Sequence, residues 1–357
     1  MKKLCILLTI IVILPFFSVY SKADGEVDKY LTDYENSLPE DFAAFGKEEN
    51  SLSSLEFYSI ISYLIETMSE NGGRIGKFFM LLVGVSAIIT VSSFIGGGLS
   101  SVSESVVGLI SSILIYSSLS PVIYSVNDGI TNLNSFFSSI IPIAVGVNAL
   151  GGLVTTAGVQ ATGMYSALNL VTLLGGEIFL SLSSLGLALA LISSLGGNEI
   201  SSVLKGVKGM FNWITGIATA LMTATFALQN LVSSAKDSAT IRAIRYSASS
   251  LIPVVGSTVS GAVGTLSSGI SYAKGIIGGG AVAVILYMAI SPLAVLLLYR
   301  LALSLAIILS DFLGSKMPSR IFSAFRFSLD MTVTVYSLSA LIYIFNIVVF
   351  TTVGGSL

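Results

Sequence analysis

From residue 78 to residue 353 the sequence is a succession of apolar stretches, most of them close to the length that crosses a bilayer as helix. Eight segments run at about 78–96, 104–126, 136–157, 165–194, 210–232, 251–272, 276–299 and 329–353. A segment in lipid must satisfy its own backbone, and no alternating barrel pattern is present, so each is read as helix. The expected fold is all-α, a polytopic transmembrane helical bundle. Two stretches blur the count. Residues 251–272 are rich in Ser and Gly and read either as a span or as a re-entrant segment. Residues 276–313 are too long for one crossing at ~1.5 Å per residue. Pro292 is expected to kink that stretch, with the part beyond Arg300 running along the cytoplasmic interface. The expected number of spans is six to eight.

Charge explains why lipid is the solvent. Only 10% of the residues are charged and 54% are hydrophobic, with a mean hydropathy of +0.91; soluble domains carry roughly 25% charged residues. The net charge of −2 hides an asymmetry: between Asp24 and Arg74 stand twelve carboxylates and three basic residues, while the chain from Lys77 onward turns basic. Histidine is absent, which removes the commonest general base and neutral metal ligand. The single cysteine, Cys5, lies inside the expected export signal, near the start of its apolar run. There is no Walker A loop, metal-ligand spacing or Gly-x-Ser-x-Gly elbow, and the glycine runs at 96–98 and 278–280 read as loops or helix ends. No catalytic, cofactor or metal site is expected, the chain is read as not an enzyme, and nucleic acid is not an expected partner.

Three regions follow. Residues 1–23 have the parts of a secretory signal: Lys2 and Lys3, an apolar run from Leu4 to Phe17, then Ser21 and Ala23 at the −3 and −1 positions. Cleavage after Ala23 is expected, a retained anchor helix being the alternative. Residues 24–74 form an acidic extracytoplasmic segment, with a short amphipathic helix at 52–68. Its carboxylates lack calcium-loop spacing and read as a solvated face. Residues 75–357 form the multi-span domain, interrupted by a basic amphipathic segment at 233–250.

Counting crossings from an external residue 74 places Lys236, Arg242 and Arg245 inside, with Arg300, Lys316, Arg320 and Arg326, and leaves Lys205, Lys208 and Lys274 outside. The balance favours this orientation, with both mature ends outside. The cytoplasmic basic segment is expected to meet partners or anionic lipid, worth about 1 kcal/mol per basic residue.

Helices in lipid approach closely where residues are small. Gly216, Ala220 and Ala224 form one four-residue stripe, Gly256, Ser260, Gly264 and Ser268 a second, and Gly186, Ala190 and Ser194 a third. Each is read as packing within the chain or as a contact between subunits, including copies of this chain. Polar groups inside spans are functional candidates. Glu177 is the clearest, for a transport role or a structural hydrogen bond. Asn148, Asn169, Gln229 and Asn230 can bond across helices, and Arg300 sits at an expected helix end from which it can snorkel.

The run 228–257, Leu-Gln-Asn-Leu-Val-Ser-Ser-Ala-Lys-Asp-Ser-Ala-Thr-Ile-Arg-Ala-Ile-Arg-Tyr-Ser-Ala-Ser-Ser-Leu-Ile-Pro-Val-Val-Gly-Ser, resembles the stage III sporulation protein AE family of endospore-forming bacteria. So does 291–303, Ser-Pro-Leu-Ala-Val-Leu-Leu-Leu-Tyr-Arg-Leu-Ala-Leu, and so does the order of signal, acidic segment and spans. In the family carboxylates often follow the Pro-Val-Val-Gly run; here Ser260, Gly261 and Gly264 stand there, which departs from an ion-handling helix. The resemblance implies a subunit of a channel or feeding-tube complex in the mother-cell membrane around the forespore, needed for late forespore gene expression. It also implies partner subunits that include a separate ATPase. Two other readings remain open: a self-sufficient secondary permease with a midplane site at Glu177, and a structural scaffold.

Overall fold

The computed structural model describes residue 36 and residues 57–94, 100–192, 198–251 and 256–352. The export signal, the acidic segment up to residue 56, and within the helices the side chains of Glu177, Asn230 and residues 231–267 lie outside what is described. The chain forms α1 (Phe57–Phe94), α2 (Ser100–Leu150), α3 (Val154–Thr172), α4 (Phe179–Ile192), α5 (Asn198–Leu251), α6 (Gly256–Phe312) and α7 (Lys316–Thr352). A π-helical turn, Leu173–Ile178, joins α3 to α4 without a break. Among the described residues there is no strand, and six helical runs are long and apolar enough to cross a membrane: α1, α2, α3 with α4, α5, α6 and α7.

Six is the lower bound of the expected six to eight, because two pairs of the eight apolar segments are fused. Segments 104–126 and 136–157 are one helix, α2, with Pro121 and Pro142 inside it. Segment 251–272, from Gly256 onward, and segment 276–299 belong to α6, which contains Pro292. The glycines between these segments do not make turns. Gly129 instead admits Tyr336, whose Oη lies 3.0 Å from where a Cβ would stand, and Gly278 admits Thr351, whose Cγ2 lies 2.0 Å from that position. The stretch beyond Arg300 does not separate from the segment before it. It continues as α6 with Ala302, Leu303, Ala306 and Ser310 buried, because every turn offers the bundle an apolar or small face. The helix expected at 52–68 is continuous with the first span from Phe57 onward.

Both tight turns are made the same way. At the end of α2, Leu153 N–H donates to the Asn148 carbonyl (3.0 Å) and Gly152 N–H to that of Ala149 (3.0 Å). At the end of α6, Ser315 N–H donates to Ser310 (3.1 Å) and Gly314 N–H to Asp311 (3.1 Å). These are Schellman closures, which need a left-handed residue at the position after the cap. Gly152 (φ 71°) and Gly314 (φ 74°) supply it without a Cβ penalty.

Side-chain contacts fix the directions of the helices. Tyr63 stacks on Tyr287, Phe78 meets Tyr299 and the Ser86 and Ser310 hydroxyls bond at 2.8 Å, so α1 runs parallel to α6. The Tyr336 hydroxyl donates to the Met288 carbonyl (3.1 Å) and Gly278 faces Thr351, so α7 returns antiparallel. The bundle has one end at Gly152, where α3 begins and α7 finishes, and another at Gly314. α1 begins partway along it, at the level of Tyr287, and runs toward the Gly314 end. The core is a continuous apolar cluster from Phe78 to Phe350, with α7 the most enclosed helix and α5 the least.

Candidate functional site

Polar side chains enter the apolar bundle at three levels. At the Gly152 end, Asn148 of α2, Gln160 of α3 and Gln229 of α5 are all buried. Asn148 Nδ2 donates to Gln160 Oε1 at 3.2 Å, and the Gln229 amide lies on the backbone of Gly163, one turn along α3 from Gln160. Nearby, Ile270 packs where a side chain on Gly151 would stand. One turn further along α6 the buried Lys274 places its Nζ 5.8 Å from the centre of the Phe350 ring.

Midway along the bundle, the Tyr343 hydroxyl donates to Asn134 Oδ1 at 2.5 Å and its ring stacks on Phe137. Asn134 Nδ2 in turn donates to Thr172 Oγ1 (3.2 Å), so α2, α3 and α7 are tied just before the π turn. The π turn begins at the next residue, and Gly175 within it faces Ile130, whose Cγ2 lies 2.6 Å from where a Cβ would stand. Such insertions re-aim a helix face and recur at functional sites. Glu177 belongs to this turn by its backbone; its side chain lies outside the described ones.

The third level is ionic. Arg300 Nε donates to Asp330 Oδ1, and Arg326 lies 4.0 Å from the other oxygen of the same carboxylate, one turn back on α7. Arg300 is therefore not at a helix end, as its sequence position suggested, but inside α6 and paired across to α7. Asn169 is exposed on α3 instead of bonding across helices. Lys274, expected in an external loop, is a buried residue of α6.

The small-residue stripes divide. Gly186 packs on Ser328 and Met331 of α7 and Ala190 is fully buried, so the third stripe works inside the bundle; Ser194 lies outside the described residues. Gly216, Ala220 and Ala224 face outward on α5, and the space beyond Gly216 is open, so the first stripe does not pack this chain. Of the second, Ser268 is exposed, and the surroundings of Gly256, Ser260 and Gly264 lie outside what is described, as do those of Lys236, Arg242 and Arg245. Sequence reasoning missed Gln160, Asn134 and Asp330. Asp330 had an available signal, an Arg-x-x-x-Asp spacing that puts both groups on one helix face.

Helical runs of membrane-crossing length and apolarity, alternating in direction around a core that buries only scattered polar groups, define the class: an all-α polytopic membrane bundle. Within that class the chain belongs to the stage III sporulation protein AE family, whose profile, Stage III sporulation protein AE (spore_III_AE), matches residues 38–354. It is similar to the Stage III sporulation protein AE of Bacillus subtilis (strain 168), with 24% identity over 285 residues, 76% of this chain and 71% of that one. No solved structure matches.

Proposed function

We propose that the chain is a non-enzymatic membrane subunit of a multiprotein channel between mother cell and forespore, made with a cleavable export signal and needed for late forespore gene expression. The observation that carries this reading is the family match, which runs from within the acidic segment to the end of α7. The geometry supports the subunit part. α5 is the least enclosed helix, and it turns the Gly216, Ala220 and Ala224 stripe away from the bundle, where a neighbouring subunit can approach closely. The sequence of its continuation carries Lys236, Arg242 and Arg245, basic residues suited to partners or anionic lipid, and a separate ATPase supplies any nucleotide chemistry.

The test is isolation of the tagged chain from sporulating cells, then reconstitution in liposomes alone and with whatever co-purifies. Solute flux is expected with the partners present and absent without them. Uptake by the chain alone would replace this reading with a self-sufficient permease. Recovery of the chain without partners would remove the complex.

A further inference from the structure

Three uncharged amides from three helices meet at the Gly152 end, and their hydrogen bonding is incomplete. Asn148, Gln160 and Gln229 are 0%, 2% and 3% exposed, so bulk water does not reach them. Asn148 Nδ2 donates to Gln160 Oε1, and pairing stops there. Asn148 Oδ1, Gln160 Nε2 and both Gln229 Nε2 and Oε1 have no hydrogen-bond partner.

The arrangement is built into the backbone. A Cβ on Gly163 would stand 1.3 Å from Gln229 Nε2 and 2.2 Å from Cδ, so the amide occupies space that only glycine leaves open. Gln160 and Gly163 lie one turn apart on the same buried face of α3, with Met164 beside them. The orphaned set is two acceptors and two donors, the complement of a molecule that itself donates and accepts. Amides left dry in an apolar bundle are costly, and polar cavities in proteins are filled by water that makes two to four such bonds.

We propose that Asn148, Gln160 and Gln229 form an internal hydration site, holding water inside the α2, α3 and α5 junction. The site does not depend on the channel reading, because it is complete within one chain.

Radiolytic footprinting of the purified full chain in detergent, without partners, tests it. Met164 and Met331 are equally buried, at 0% and 1%, but only Met164 adjoins the amides. Bound water is expected to oxidise Met164 at least about tenfold faster than Met331, and Gln229→Leu is expected to remove the difference. Equal rates in the unmodified chain would overturn the proposal. A second measurement uses a Cys5→Ser background, because thiol reagents attack the thiolate, which forms only where water reaches. Gln229→Cys is expected to react with a small water-soluble methanethiosulfonate at least about tenfold faster than Ala167→Cys, which sits on the same buried face of α3. Matching rates for the two, in variants that elute as the unmodified chain does, would likewise sink it.

Discussion

At the scale of single residues, partners matter more than residue type. Arg300 looked like a snorkelling residue because an arginine after a long apolar run ordinarily ends a helix. Its actual partner, Asp330, is thirty positions away and could be found only by knowing that α7 folds back on α6. The pair is partly exposed, so its loss should cost less than that of a fully buried one. Asp330→Ala leaves Arg300 without its carboxylate, and thermal unfolding in detergent should show a loss of about 1–3 kcal/mol, the range for an abandoned charged partner. Arg326→Ala should cost no more than about 0.5 kcal/mol, as exposed helical pairs at four-residue spacing do. Equal losses would mean that Asp330 acts through something other than Arg300. Asn148 and Gln229 were legible in the sequence because amides inside spans are conspicuous. Gln160 was not, since Val-Gln-Ala-Thr-Gly at the start of a span reads as an ordinary polar border.

At the scale of helices, composition gave the right class and the wrong divisions. A polar interruption such as Ser-Val-Asn-Asp-Gly, 125–129, looks like a loop, yet a helix stops only where a residue closes it. The two glycines that close helices, Gly152 and Gly314, have positive φ; Gly129 instead makes room for a tyrosine. Four-residue spacing of small residues was equally ambiguous, because it reports that a close approach is possible and not from which side. The structure separates two stripes that look alike. Gly186→Leu should drive a side chain into Ser328 and Met331, already 2.7 and 3.0 Å from a Cβ there. Thermal unfolding should then show a loss of about 1–3 kcal/mol, the usual cost of overpacking. Gly216→Leu should leave the fold within about 0.5 kcal/mol, since leucine is the better helix former and meets open space. The same Gly216→Leu change should abolish co-purification with partner subunits. Intact assembly in the Gly216→Leu chain would show that this face of α5 touches only lipid.

At the scale of the whole molecule, the bundle is longer than a membrane is thick. The apolar runs Ser105–Leu150 of α2 and Ser268–Phe312 of α6 measure nearly 70 Å at ~1.5 Å per residue, against a hydrocarbon core of about 30 Å. Tilt does not reconcile them, because transmembrane helices lean by up to about 40° and this mismatch needs more than 60°. Only part of the bundle can lie in lipid, and the charges choose which. Arg300, Arg326 and Asp330 sit at one level, near the α1 residues Arg74 and Lys77 through the contact of Phe78 with Tyr299. Phe226 against Phe345 sets the register of α5 and brings Lys205 and Lys208 to about the same level. From this belt toward Gly152, Asp330 to Thr352 and Lys208 to Gln229 each measure about 32 Å by the same rise, one bilayer. Toward Gly314, Arg300 to Phe312 measures only about 18 Å, and α7 carries Lys316 and Arg320 there. The Gly152 part should therefore be embedded and the Gly314 part should stand clear of the lipid, its exposed Met80, Ile88, Leu305 and Phe312 covered by neighbouring subunits. α1, whose Tyr63 stacks on Tyr287 and whose Phe78 meets Tyr299, then passes through the embedded part from Phe57 to Phe78, about 32 Å by the same rise, and continues into the Gly314 part. That places the α6–α7 turn on one side of the membrane, and the start of α1 and the end of α7 on the other. Cysteines at Ser315 and at Ser247, labelled from each side of sealed vesicles with an impermeant thiol reagent, should react from opposite faces. A cysteine at Ser37, in the acidic segment that leads into α1, should share the face of Ser247. If Ser37 instead reacts from the face of Ser315, α1 does not cross the bilayer and this placement of the lipid fails.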